Sequence, residues 1–229
     1  MGAAHNTVIK VNGTSTALSN AATTKLTANT VYQITDATKR VLDPNVAVLV
    51  EVDADGAGGG GYATAAADTY TVDYLFGKVT FNSDQGVNAL VRVTGAYLPM
   101  LTVAECTNAE YEVMRETLDK TSFDSGGYRA REGGLISATA SVRTLKFQNF
   151  DFDPGGGARK LLDDMKAGTP IVFEDTPVSG EQFRAWMVIK GMKLTGNVPG
   201  QLATDVELES AAQAGSGETE QATLGWGAQ

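Results

Sequence analysis

Apolar and polar residues alternate along much of the second half of the chain. From Ile136, the residues Ala138, Ala140 and Val142 fall on one side, and Ser137, Thr139, Ser141 and Arg143 on the other. That is the pattern of a strand with one buried face. Phe183, Ala185, Met187 and Ile189 repeat it, with Gly191 expected as a bulge before Met192 and Leu194. Leu202, Thr204, Val206 and Leu208 alternate with Ala203, Asp205, Glu207 and Glu209. With PIVFE at 170–174 and EYEVMRETLDKTSF at 110–123, these strands predict a mainly β protein, a sandwich or barrel carrying one helix.

The helix is predicted over 158–167, where Leu161, Leu162 and Met165 form one apolar face, Gly168 caps the end and Pro170 prevents continuation. The preceding PGGG at 154–157 superficially suggests a phosphate-binding loop. Its glycines are contiguous, Lys160 follows Arg159, and Leu161 stands where a magnesium-binding hydroxyl belongs, so the stretch reads as a strand end turning into the helix.

The first half is β-rich with a different texture. VYQI at 31–34, VAVLVEV at 46–52, TYTVDYL at 69–75, VTF at 79–81 and NALVRVTGAYL at 88–98 are strand candidates, with Gly77-Lys78 as a tight hairpin turn. DADGAGGGGYATAAAD between two of them reads as an exposed loop. A small extra β-sandwich-like domain is therefore expected over 31–100, after an arm and first strand at 1–30. The main β domain is expected over 101–212, and a flexible tail over 213–229 in which Trp226 is a possible anchor.

Composition narrows the chemistry. Of the 229 residues, 42% are hydrophobic and 20% charged, the balance of a folded globular chain. No apolar run is long enough to span a bilayer, and the first residues lack the apolar core of a signal peptide, so no membrane insertion is expected. Cys106 and His5 are the single cysteine and histidine, which excludes an intrachain disulfide and most triad or zinc chemistry. Neither a cofactor nor a metal is expected. A net charge of -9 opposes tight binding to phosphates but not a surface past which nucleic acid slides.

Glu51, Asp53, Asp55 and Gly56 match the opening of a calcium loop, but Tyr62 stands where the closing glutamate is needed and a strand precedes it, so a solvated strand end is the better reading. Asp151 with Asp153, or Asp163 with Asp164, would be the carboxylate pairs of a hydrolase, although no sugar platform adjoins them. Tyr70, Tyr74, Phe76 and Phe81 suit either a sugar-binding face or cross-strand packing. FDSGGYRAREGG at 123–134 is a long glycine-punctuated connection rich in the aromatic and arginine residues favoured at interfaces.

The order of features in the second half resembles the major tail tube proteins of long-tailed bacteriophages. The strand EYEVMRETLDKTSFDSGG leads into a long loop; the strand LISATASVRTLKF follows; then come the helix ARKLLDDMKAG and the strands TPIVFEDT, RAWMVIKGMKLTGNV and LATDVELESAAQ. The resemblance covers about residues 100–212, together with the strand NTVIKVNG near the N-terminus. It implies a β-sandwich or barrel with a flanking helix, non-enzymatic, assembling in the host cytoplasm as hexameric rings that stack into a tube. Its partners would be further copies of itself, a tape-measure protein, and tail terminator or tip proteins, with DNA transiting the lumen without specific binding.

Carried onto this chain, the resemblance makes Phe123, Asp124, Tyr128, Arg129, Arg131 and Glu132 candidates for contacts between rings or subunits. Ser137, Thr139, Ser141, Asp205 and Glu207 become candidates for the lumen wall. The extra domain departs from the simplest pattern of that family. A carbohydrate- or receptor-binding β-sandwich module is the alternative reading, and a related tube with a contractile sheath is a variant of the first.

Overall fold

The computed structural model describes residues 7–56, 58, 61–119, 131–147, 157–178, 181–198, 201–211 and 224–228. Among them are fourteen strands and one α-helix: β1 (Thr7–Asn12), β2 (Thr16–Thr27), β3 (Val31–Ile34), β4 (Leu49–Asp53), β5 (Ala63–Thr64), β6 (Tyr70–Asp73), β7 (Lys78–Phe81), β8 (Leu90–Tyr97), β9 (Met100–Asp119), β10 (Arg131–Phe147), α1 (Gly157–Ala167), β11 (Ile171–Val178), β12 (Glu181–Val198), β13 (Gln201–Ser210) and β14 (Leu224–Ala228). One sheet has the order β5-β4-β8-β2-β3-β7-β6; the other runs β1-β9-β10-β13-β12-β11, with β14 also paired to β12.

The mainly β class and single helix agree with the alternation and breaker signals in the sequence. The chain forms two compact units that do not follow the sequence-based boundaries. One comprises Met1–Val8, Val103–Ile171 and Met187–Ala211; the other comprises Ile9–Thr102, Val172–Trp186 and Ala212–Gln229. Residues 16–27, expected in the arm, form β2, which pairs with β3 and β8 inside the sheet that also contains β4 to β7. Residues 224–228, expected in a flexible tail, form β14, whose Trp226 stands opposite Phe183 of β12. Single-residue polarity does not reveal either event, because both strands are recruited by backbone pairing across long sequence separations.

In the second unit, Leu18, Tyr32, Ile34, Leu42, Val50, Val79, Phe81, Val91 and Val93 build one core. Tyr32 and Tyr70 both pack edge-on against Phe81, at centroid distances of 5.8 and 5.9 Å. A second core gathers Val41, Leu75, Phe76, Leu98, Val172 and Trp186. Each large side chain taken from water here contributes about 1.5–3 kcal/mol. Alternation predicted only one buried face for β12. Gln182, Arg184 and Trp186 are buried as well as Phe183, Ala185 and Met187, so the strand is covered on both sides over this stretch.

Arg184 enters that core with its charge answered. Its Nε and Nη2 lie 2.9 and 2.8 Å from Glu174 Oε2, and Nη1 donates to Leu75 O at 2.8 Å. The guanidinium also stands 5.3 Å from the Phe76 ring centroid, with Lys78 Nζ at 5.2 Å. Such a pair is costly to desolvate, and its loss of one partner is costlier still.

The turn that presents Leu75 and Phe76 depends on two devices. Asp73 Oδ1 accepts from the amides of Leu75 and Phe76, at 3.0 and 3.2 Å. Gly77 follows at φ +59, where an added Cβ would lie 2.8 Å from Arg40 O. The glycine expected at the hairpin is thus required twice, for its dihedral and for close backbone approach.

The helix begins at Gly157, one residue before the predicted start, and buries Leu161. It ends as expected: Gly168 takes φ +62, its amide donates to Met165 O at 3.2 Å, and Thr169 N donates to Asp164 O at 2.9 Å. This pair of bonds is a Schellman cap.

Two outcomes follow from the 73–77 turn. Gly77→Ala is expected to destabilise the protein by at least about 2 kcal/mol in urea unfolding, combining a left-handed dihedral with a backbone clash. Gly86→Ala, at φ +97 with nothing within 4 Å of its Cβ, should cost only about 1 kcal/mol. Equal losses would show that the approach to Arg40 O is unimportant.

Burial pushes the Asp73 carboxyl above its ordinary value of 3.8, against the opposing pull of the Phe76 and Leu75 amides. A carboxyl raised in the folded state favours folding while protonated, and that contribution is lost as pH rises through the folded pKa. Asp73→Asn, which keeps an acceptor oxygen, should therefore melt higher than the parent at pH 7. The difference should close as pH falls toward 3.8, and a gap that widened on acidification would contradict the assignment.

Candidate functional site

The alternation in β10 and β13 resolves into two chemically opposite sheet faces. Ala138, Ala140 and Val142 of β10 and Val206 and Leu208 of β13 are buried. Ser137, Thr139 and Ser141 are half-buried on the other side, with Asp205 half-buried and Glu207 and Glu209 exposed. Pairing sets these residues in rows: Thr139 opposite Glu209, and Ser141 opposite Glu207. The Ser210 hydroxyl accepts from the Ala138 amide at 3.0 Å where the paired register ends.

β9 continues both rows on the other side of β10. Glu110 stands opposite Ser141, and Glu112 opposite Thr139. Each row is thus carboxylate, hydroxyl, carboxylate across three strands: Glu110-Ser141-Glu207 and Glu112-Thr139-Glu209. Neighbouring strands lie about 4.8 Å apart, which puts the flanking glutamates of one row about 10 Å apart at their backbones. The Debye length is about 8 Å at physiological salt and about 30 Å at about 0.01 M, so this repulsion is damped in the first condition and felt in the second. Lys190 touches the set, its Nζ 3.5 Å from Glu209 Oε2, and both side chains are exposed. Lys190 falls at the register shift between Ile189 and Gly191, the bulge expected at this point of β12. A groove of about 470 Å³ runs over this face, lined by residues including Glu110, Glu112, Thr139, Ser141, Lys190 and Glu207.

The structure therefore brings together Thr139, Ser141 and Glu207 from the sequence-based lumen set, with Ser137 and Asp205 further along the same strands. Sequence reading missed Glu110, Glu112, Lys190 and Glu209. The alternation of Glu110, Tyr111, Glu112 within β9 carried the signal, but which neighbour it would face is a matter of register.

Of the candidate contact residues, Phe123, Asp124, Tyr128 and Arg129 lie outside the described residues. Arg131 and Glu132 do not belong to a loop. They open β10, paired with Asp119 and Leu118 of β9, and the glycine pair after them sits at a register shift between Gly133 and Ile136. Glycines read as loop punctuation instead admit a β-bulge within a strand. The β9–β10 ribbon extends beyond the residues paired with β13, and on it Val113 and Met114, which point to opposite faces, are 46% and 47% exposed.

Asp163 and Asp164 lie on α1, exposed and half-buried respectively, and several other candidates have structural roles. Glu51 is held by Arg92, with hydrogen bonds of 2.8 and 3.1 Å that lower its pKa, and Arg92 stacks 4.0 Å from the Tyr62 ring centroid. Asp53 is buried and accepts from the Gly58 amide at 2.8 Å. The calcium-like spacing thus serves to fasten a glycine-rich connection. Tyr74, Phe76 and Phe81 are buried rather than displayed, which favours the packing reading of the aromatics. Asp151 and Asp153 lie outside the described residues, as do Pro154, Gly155 and Gly156.

No protein-family model matches the chain, and no curated protein matches it significantly. Among the solved structures similar to it are two that match over half of the chain. A chain of the "Virion of native gene transfer agent (GTA) particle" is 23% identical, with 50% of this chain and 85% of that one covered and a TM-score of 0.39. A chain of the "Tail of empty GTA particle computed with helical refinement, C6 symmetry" is likewise 23% identical, over 50% of this chain and 84% of that one, at 0.40.

The like charges of this face have a measurable signature. In the double variant Glu112→Gln/Glu207→Gln, the melting temperature at low ionic strength should exceed that of the parent. The gap should disappear in about 1 M salt, where the Debye length falls to about 3 Å. A gap unchanged by salt would mean that the substitutions act through packing.

Proposed function

We propose that this chain is a structural, non-catalytic subunit of a phage-type virion tail, and that it self-assembles into stacked hexameric rings forming a tube. The observation that carries this reading is the sheet built on β9, β10 and β12, which have 20, 17 and 18 residues. Strands of globular domains commonly have about 5–6. Strands this long, with an acidic and hydroxylated face opposite a buried one, suit a wall shared between copies.

The extension of the β9–β10 pair beyond β13 supports the same reading. A two-stranded ribbon is marginal by itself in water, and one exposing apolar side chains on both faces is stabilised when another copy covers it. Closed symmetry would let each subunit both offer the ribbon and receive one. The resemblance in the order of elements to tail tube proteins points the same way.

In the assembled tube, the Glu110-Ser141-Glu207 and Glu112-Thr139-Glu209 rows would line the lumen. Repeated around a ring, they would form a predominantly negative, hydroxylated wall, with Lys190 engaged by Glu209, that repels DNA phosphates so that the duplex slides without adhering. The tape-measure protein would occupy the lumen before DNA, and terminator or tip proteins would close the ends. Phe123, Asp124, Tyr128 and Arg129, with Arg131 and Glu132 at the start of β10, would reach the next ring, with the arginines meeting acidic groups there. Assembly would take place in the host cytoplasm and the product would reside in the virion tail.

Negative-stain electron microscopy over a concentration series tests the proposal. Rings or hollow tubes with sixfold features are expected, and Arg129→Glu/Arg131→Glu should leave rings while suppressing their stacking. A small homogeneous particle at every concentration, even with added tail initiator, would refute the tube. Long tubes from the arginine variant would refute the assigned contact alone.

A further inference from the structure

The second unit contains a pocket of about 440 Å³ that the tube reading does not use. Its size lies within the roughly 300–1,000 Å³ of small-molecule sites. Arg184, Glu174 and Gln182 form its buried polar floor, while Ala37, Pro99 and Met100 provide apolar wall and Tyr97 adds a ring.

The floor sorts possible ligands by charge. Arg184 is bonded to Glu174 at 2.8–2.9 Å and to Leu75 O at 2.8 Å, so the two formal charges answer each other. Neither an anion nor a cation would find an uncompensated charge in this floor, and the net charge of -9 further disfavours anions.

The unspent capacity belongs to Gln182. This residue is 8% exposed, and its Nε2 reaches Glu174 Oε1 only at 3.5 Å, the outer limit of a hydrogen bond. Its Oε1 has no partner among the described residues. The carboxamide therefore presents an acceptor and a weakly engaged donor to the pocket. A wholly apolar guest would strip its water and return nothing. Hydroxyl groups, which donate and accept, match it, and the C–H face of a sugar ring matches the wall of Tyr97, Pro99 and Met100.

We propose that this pocket is a binding site for a neutral hexopyranoside, with Gln182 bonding ring hydroxyls and Tyr97 and Met100 covering the apolar ring face. All its named residues come from one unit of a single chain, so the site does not require self-assembly.

Saturation-transfer NMR on the full chain tests it, with methyl α-D-glucopyranoside and methyl N-acetyl-β-D-glucosaminide as probes, each raised to tens of millimolar. A saturable signal is expected from at least one probe. Gln182→Met, which keeps length but removes both hydrogen-bonding groups, should weaken it about tenfold or more, equivalent to about 1.4 kcal/mol. Ala37→Trp fills the mouth from an exposed position and should abolish the signal; it serves alone if Gln182→Met does not fold. No saturable signal from either probe would overturn the site, as it would if a neighbouring copy filled the pocket. A signal that survives in the folded variants would place binding elsewhere and overturn it equally.

Discussion

A slip of β13 by one residue against β10 would exchange its buried side chains for polar ones. Val206 and Leu208 would turn to solvent, and Glu207 and Glu209 would turn inward against Ala138, Ala140 and Val142 of β10. Desolvating Glu207 and Glu209 together costs far more than the backbone bonds of a shifted ladder recover. The register is therefore held by charge as firmly as by apolar burial. The acidic face is a consequence of it, because the same alternation that builds the core places carboxylates side by side on the opposite surface.

The second unit solves a different problem. β11 and β12 contribute Val172, Glu174, Gln182, Arg184 and Trp186 to a region that also contains Leu75 and Phe76 of the 73–77 turn. A patch assembled from segments about one hundred residues apart is held by Trp186 and Phe76 packing and by one neutralised ion pair. Arg184 satisfies Glu174 and the Leu75 carbonyl together, so the charge that would otherwise penalise burial supplies a directional bond to the 73–77 turn. The polar floor left beside it keeps the Gln182 carboxamide only weakly engaged, its Nε2 3.5 Å from Glu174 Oε1.

Local physics made several features legible from sequence. Period two identified the strand faces at 137–142 and 205–209, because side-chain direction alternates regardless of partner. Gly168 ended the helix and Gly77 the hairpin, because both adopt dihedrals that other residues resist. The bulge near Gly191 was visible as a break in the same alternation.

What stayed hidden depends on partners distant in sequence. The glycines at 133–134 resemble loop punctuation until β9 is seen to pair across them, and residues 224–228 resemble a tail until β12 offers a free edge. Glu110 and Glu112 join Ser141 and Thr139 only through register. By itself the sequence determined the mainly β class, the inward and outward residues of its strands and the scarcity of histidine and cysteine. Tertiary structure alone decided which strands became neighbours, how the chain divides into units and which polar residues share a surface. The reason is that backbone hydrogen bonds carry no side-chain label, so a strand's own pattern specifies its faces but not its partner.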